Sequence, residues 1–414
     1  MRPRENVTLC HPRHSSGKDT NQALLVRSRM PASLPPSYVV TMVDRFGFSA
    51  NNIAYQALSE APHFRYFDFH PAANDADISP KTHGVTPVWR FGTVVASNHP
   101  SIQAGERIYG YFAATRYIVL AISPADVNRF AFYVSRPHLP PDRRLYNQVI
   151  RCSADPLYDS SPEAEDLTML YRPLFWTSFW CEDWLNSSQY RGGAGRILIS
   201  SASAKTAFCL AYVIRKRSFG SDDTERQIVG LTSKKNTAFT QRLGLYDHVL
   251  TYEDFTVPRI SSSTFQKWIY IDVAGNEQLN ARVFKQFSLL EDVDLVASIA
   301  LGLTNLSPSS GNALPADWSP TESFGTVTKA FETIFMPEWL AIRRNQLSVT
   351  QITRLQRDAW LEFMNDRRTW GINVHRAWGP AEVKNAYGEV VRLGIAPDQG
   401  FIWSMWEDGP HARL

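Results

Sequence analysis

The residues best placed by type and spacing to do chemistry lie between Arg196 and Ala207. There an apolar run, Ile197-Leu198-Ile199-Ser200, passes into the small-residue turn Ser201-Ala202-Ser203-Ala204 and then into a helix-forming stretch opening at Lys205-Thr206. A strand that turns tightly into a helix aims backbone N–H groups and the positive helix end at one point, an arrangement that suits a phosphate. Glycines usually fill such a turn, because the backbone must approach the diphosphate closely. None is present; Ser and Ala, the next smallest residues, stand instead. Ser201, Ser203 and Thr206 add hydroxyl donors and Lys205 a charge, although a turn with no ligand accounts for the pattern equally well.

A second segment follows about 30 residues on, at the distance where a dinucleotide site reads the adenosine ribose. An NAD site would place Asp or Glu there to accept the 2′-hydroxyl. This sequence has Thr232-Ser233-Lys234-Lys235-Asn236, with hydroxyls, an amide and two cations and no acid. Ser233, Lys234 and Asn236 therefore suit a 2′-phosphate, and so NADPH, with a solvated basic loop as the plainer alternative. Farther along, Asp272-Val273-Ala274-Gly275 and Ser298-Ile299-Ala300-Leu301-Gly302 each end an apolar run in small residues. Ala274, Gly275 and Gly302 would let a nicotinamide and its ribose lie on the backbone, or are ordinary turn residues.

The elements that must position these groups follow from the pattern. From Ala23 to about Pro124, short β-rich runs (ALLV, SYVVTMV, VWRFGTVVAS, RYIVLAI) alternate with Pro, Asn, Asp and Gly signals, which reads as a barrel-like all-β domain. From about Leu167, strand-length runs (GRILISSAS, RQIVGLTS, DHVLTY, WIYIDVAG, LVASIALG) alternate with helix-length ones, which implies βαβ units and a six-stranded, doubly wound parallel sheet. Leu303 to Pro320, rich in Ser, Pro, Asn and Gly, reads as a surface loop, and about Pro337 to Asp366 as one long helix. The C-terminal strand, helix and strand are expected to return to the first domain. Met1 to Gln22, polar and basic, is expected to be a flexible lead-in with no secretory signal. The expected division is residues 1–22 as lead-in, 23–165 with 368–414 as the barrel domain, and 166–367 as the nucleotide-binding domain.

Composition narrows the function classes. At 414 residues two cores are expected. The 43 Lys and Arg against 40 Asp and Glu give a formal charge of +3, scattered rather than gathered into a stripe, which argues against nucleic acid as a partner. No segment offers the roughly 18 uninterrupted apolar residues of a membrane span. Cys10, Cys152, Cys181 and Cys209 lie far apart without metal-ligand spacing, so they are expected to be reduced thiols of a cytoplasmic protein that binds no metal.

Taken in order, these segments resemble the medium-chain dehydrogenase/reductase superfamily from about Ala23 to Trp406. GTVVASNHPSIQAGERIYGYF is similar to that superfamily's "G-x-V…G-D-R-V-x-G" barrel segment, LFWTSF to its "LTA" helix, and LGLYDHVLTYED to its "LGAD-x-V-I-x-Y". More narrowly, FSANNIAYQ, YRPLFWTSF, SSASAKTA, GLTS and YDHVLTY resemble a branch described only as a domain of unknown function, DUF2855. The resemblance implies a GroES-like β-barrel domain plus a Rossmann domain, related to zinc-free quinone and enoyl reductases. The Cys, the Gly-His-Glu segment and the four-Cys lobe of the zinc-dependent branch are missing.

In such relatives the substrate pocket receives residues from the segment matching Asn51 to Tyr55, so the resemblance implies Asn52 and Tyr55 as groups that bind or protonate substrate. It implies Thr177 as a hydroxyl near the nicotinamide. Tyr109 and Tyr111 lie on a barrel strand and are candidates to line the pocket; Arg172 is expected in a surface salt bridge flanking a helix. The implied activity is an NADPH-dependent reduction of an activated C=C in a small apolar substrate, in secondary metabolism, by a possible homodimer paired through its sheet edge. Two other readings stay open: a cofactor-independent isomerase, cyclase or lyase, motivated by the lost glycines, and a non-catalytic binding protein.

Overall fold

The computed structural model describes residues 5–62, 64–75, 77–140, 143–219, 226–255, 266–302, 331–366 and 371–408. They fall into two compact units, one holding the chain up to Leu170 and again from Ile372, the other the described residues between Tyr171 and Gly371.

In the first unit, alternating apolar residues close six antiparallel strands into a barrel. The order runs Tyr38–Phe48, Pro87–Ser97, Arg107–Ala113, Gln148–Arg151, Ala131–Val134 and Tyr117–Val127, and the last pairs back onto Tyr38–Phe48. Closure removes both sheet edges. Val39, Val43, Val94, Ile108, Phe112, Ile118, Leu120, Phe132 and Val149 share one core. Gly92 permits the tightest approach of the first two strands, since a Cβ there would lie 2.6 Å from Thr41 Cγ2 and 2.8 Å from the Met42 carbonyl oxygen. The C-terminal strand Gln399–Ser404 extends the sheet, pairing antiparallel with Tyr38–Phe48 and parallel with Asn373–Trp378, and Trp403 stacks on Phe48 at 4.4 Å.

The lead-in expected over residues 1–22 is corrected. Glu5–Pro12 is a strand whose last six residues are buried; it pairs with Leu24–Arg29 from Glu5↔Arg29 to Cys10↔Leu24. It is also fastened to the barrel, with Leu9 N–H donating to the Ala114 carbonyl at 2.9 Å and the Thr8 and Thr115 hydroxyls paired at 2.7 Å. Val7, Leu9 and Cys10 are too few to announce an apolar run, yet a strand that short is stable once both its faces are covered.

The second unit carries a six-stranded sheet, parallel throughout, in the order His248–Thr251, Gln227–Thr232, Arg196–Ile199, Gln266–Asp272, Val293–Ala300, Glu332–Thr333. Numbered along the unit, that order is 3-2-1-4-5-6, the doubly wound arrangement whose switch point lies beside Arg196–Ile199. Buried on both faces, these strands read as continuous apolar runs. The long helix expected over about Pro337 to Asp366 is two helices, Met336–Gln346 and Val349–Asp366. Leu347 is extended, and Ser348 and Gln351 bond reciprocally, side chain to backbone, to start the second. The loop expected over Leu303 to Pro320 lies outside the described residues. Among the described residues no helix is long and apolar enough to cross a membrane. The four cysteines are buried.

Candidate functional site

At the carboxyl edge of the parallel sheet, the chain leaves Arg196–Ile199 in a turn tied to both neighbouring strands. Ser200 N–H donates to the Ile271 carbonyl at 3.0 Å and Ala202 N–H to that of Leu231 at 2.8 Å. Between them Ser201 sits at φ +51°, the left-handed conformation for which glycine is favoured. The glycine-free turn thus keeps a backbone shape that glycine would adopt at less strain. Tyr252, whose phenol burial pushes up, hydrogen-bonds Ser201.

Several candidate donors turn out to build the turn. Ser203 Oγ accepts from Thr232 Oγ1 at 3.2 Å and from Asn236 Nδ2 at 3.1 Å, clasping the first turn to the second strand. Ala202 is buried beneath it, its carbonyl accepting from the Tyr246 hydroxyl at 2.7 Å, and Ala204 N–H closes the turn on the Ser201 carbonyl at 2.7 Å. Ser200, which sequence reasoning passed over, donates to Asp272 Oδ1 at 2.7 Å and accepts from Val273 and Ala274 N–H at 2.9 and 3.0 Å. Asp272 in turn accepts from Ala274 and Gly275 N–H, both at 3.0 Å, and from Asn280 at 2.7 Å. The amides of Ala274 and Gly275 are therefore turned in on Asp272, and Gly275 takes φ +65° to allow it. Gly302 answers to packing, since a Cβ there would lie 2.9 Å from the Val273 carbonyl oxygen.

The rest of the edge is cationic. Lys205, 8% exposed, is the first residue of the 15-residue helix Lys205–Phe219, so its charge stands at the helix end that already favours an anion. Thr206 follows, its carbonyl accepting from Ser178 Oγ at 2.8 Å. At the end of the second strand Ser233 Oγ is buried with no hydrogen-bond partner among the described residues. Lys234 and Lys235 are exposed on the short turn Lys234–Asn236 that follows.

The remaining candidates divide between an aromatic group and local caps. Tyr55, on the helix Ala50–Ala57, is buried with its hydroxyl accepting from Asn51 Nδ2 at 2.7 Å and Trp89 Nε1 at 3.4 Å. Its ring lies 4.5 Å from Tyr66 and 5.4 Å from Tyr111, and Trp89 stacks on Tyr109 at 5.7 Å and meets Tyr111 at 5.1 Å. Burial raises the phenols of Tyr55, Tyr66 and Tyr111, so each stays protonated at neutral pH. Three of the sequence-chosen tyrosines thus come together, with Trp89, Tyr66 and Tyr146 as members that no motif pointed to.

Asn52 caps the same helix, accepting from Ser49 N–H at 2.9 Å and donating to the Pro87 carbonyl at 3.1 Å, so both ends of its amide are committed. Thr177 donates back to the Pro173 carbonyl at 3.1 Å within the helix Pro162–Ser187. Arg172 is buried within that helix rather than on a surface flank.

Comparison with known proteins agrees with this architecture. Residues 46–396 match the model of a family described as "Protein of unknown function (DUF2855)". No curated protein matches the sequence. Among solved structures, an Etr1p variant in complex with NADP and crotonyl-CoA matches with TM-score 0.54 and 11% identity over 97% of this chain and 99% of that one. A putative NADPH:quinone reductase from Bacillus thuringiensis matches with TM-score 0.52 and 12% identity over the same shares. CurA from Vibrio vulnificus, in complex with NADPH, matches with TM-score 0.50 and 10% identity, again over 97% and 99%. At such identities the likeness is one of fold.

Proposed function

For a chain that belongs to the DUF2855 family and has the barrel-plus-Rossmann fold of the medium-chain dehydrogenase/reductase superfamily, we propose the activity of an NADPH-dependent reductase. Its substrate is an activated C=C, an enone or enoyl compound, of bulky apolar character such as a secondary-metabolite intermediate. The observation that carries the reading is the cationic edge of the parallel sheet. Lys205 and a helix N-terminus stand at the end of the first strand, and a buried Ser233 hydroxyl, unpartnered among the described residues, with Lys234 and Lys235 at the end of the second. No carboxylate lies on the second turn to repel a 2′-phosphate. The NADP- and NADPH-bound structures that share the fold support it further.

When bound, NADPH supplies the hydride and is released as NADP⁺. The chain's residues would do the rest: Lys205 and the turn would hold the diphosphate, and Ser233 and Lys234 the 2′-phosphate. Tyr55, kept protonated by burial, would be the proton donor to the substrate, with water restoring its proton. Trp89, Tyr109 and Tyr111 offer the apolar rings against which a bulky substrate packs.

Titration with NADPH, NADP, NADH and NAD, followed by calorimetry and nicotinamide fluorescence, tests the cofactor. Micromolar NADPH binding with weak NADH binding is expected; no binding to any of the four removes the reading. Lys234→Ala should weaken NADPH more than NADH by about 1.5–3 kcal/mol, the range for a hydrogen bond to a charged group. Equal losses for both would take Lys234 off the 2′-phosphate.

A further inference from the structure

The guanidinium of Arg90 is fully buried within the barrel unit, on the strand Pro87–Ser97, across from Phe46 on one neighbouring strand and Gly110 on the other. Its Nη1 donates to the Thr115 carbonyl at 3.3 Å, a long bond. Its Nε and Nη2 meet no acceptor among the described residues. These two nitrogens carry three N–H groups. The Phe112 ring lies 5.2 Å from the guanidinium carbon and is folded over Gly110, where a Cβ would come within 2.7 Å of Phe112 Cζ. Missing side-chain volume at Gly110 thus lets an aromatic face meet the cation.

The carboxylates nearest Arg90 are already matched. Asp44 is the acid whose field reaches Arg90, but its carboxylate is paired with Arg107. Arg107 also pairs with Glu165 at 2.6 Å, Arg45 with Glu165 at 3.1 Å and Asp166 at 2.5 Å, and Arg376 with Asp166 at 2.7 Å. Three guanidinium groups therefore balance three carboxylates, and the Arg90 charge has no counterpart in that network. A guanidinium does not shed its proton to escape the interior. A buried cation with open donors is strongly unfavourable unless an anion or a hydrogen-bond acceptor joins it.

We propose that Arg90 anchors a buried binding site for a small monoanion, a halide or a one-carbon carboxylate, taken up by the Nε–H and Nη2–H donors. One uncompensated charge calls for one negative charge. Two adjacent N–H groups present the fork that a halide or a carboxylate can span. The apolar company of Phe46, Val88 and Phe112 strengthens the pairing, because little water competes there. The site lies within the barrel unit and does not depend on the reductase reading.

The test uses the intact wild-type protein. Sodium bromide or sodium formate is titrated against sodium gluconate at fixed ionic strength while the thermal midpoint is followed, and crystals grown in bromide are searched for anomalous scattering. The midpoint is expected to rise by about 3 °C for each tenfold increase in free anion concentration above its dissociation constant. A bromide peak bonded to Arg90 Nε and Nη2 would identify a halide site, and a rise with formate alone a carboxylate site. Arg90→Met should abolish the anion-specific rise and Arg90→Lys retain part of it. A midpoint indifferent to all three salts, with no bromide peak at Arg90, overturns the proposal even if neither variant folds.

Discussion

Ser201 is a non-glycine residue held at φ +51° in the turn between the first strand of the parallel sheet and its helix. A left-handed L-residue costs about 1–2 kcal/mol, and glycine would escape that cost while losing more chain entropy on folding. Ser201→Gly should therefore change unfolding free energy by less than about 1 kcal/mol, whereas Ser201→Val should lose at least 1–2 kcal/mol. Ser200 behaves oppositely. Its hydroxyl bonds a buried carboxylate and two amides, so Ser200→Ala should cost about 1.5–3 kcal/mol in urea unfolding. A loss below about 0.5 kcal/mol would show that the Asp272 loop holds itself. The turn was legible in sequence as a strand running through small residues into a helix. What its hydroxyls do was not, because Ser200 meets Asp272, and Ser203 meets Thr232 and Asn236, only after strands distant in sequence come side by side.

Among the elements, the strand Glu5–Pro12 carries the clearest pH signature. His11 is buried against the Tyr387 ring at 4.6 Å with Nδ1 unpartnered among the described residues, and burial, aided by nearby His83, pushes its pKa down to about 3. His83, which Lys18 also faces, is lowered as well. In the unfolded chain a histidine takes its proton near pH 6.5, so from there down to about 3 the unfolded state binds more protons and stability falls with pH. His11 alone should remove roughly 2–3 kcal/mol between pH 7 and 4.5. Because carboxylates titrate over the same range, the comparison to make is urea unfolding of wild type and His11→Phe at both pH values. The variant should lose less stability on acidification, and an equal loss would exonerate His11. This strand escaped sequence reading because its apolar residues are few and its neighbours polar. The break at Leu347 and Ser348 escaped for a related reason: the helical period continues across it, while the Ser348 and Gln351 cap is recognisable only once formed.

At the scale of the whole molecule, the texture change from short β runs to alternating strands and helices made both folds legible, because the period of burial differs between a closed antiparallel barrel and a parallel sheet. The aromatic group around Tyr55 was only half legible, since its members come from segments as separated as Tyr55, Trp89, Tyr111 and Tyr146 and share no motif. Each unit has its own core: Val39, Phe112 and Leu120 belong to one, Leu198, Trp268 and Val283 to the other. A ligand that binds only the folded state adds stability to the unit that holds it, about 2.7 kcal/mol at a hundred times its dissociation constant. NADPH at that excess should therefore raise the calorimetric transition of the parallel-sheet unit by roughly 5–10 °C, at about 2–4 °C per kcal/mol, and leave that of the barrel unit in place. NADH at the same concentration should move it much less, because it cannot engage Lys234 through a 2′-phosphate. A shift of equal size with both nucleotides would leave a dinucleotide site but remove the phosphate preference, and no shift with either would leave the cationic edge without the ligand assigned to it.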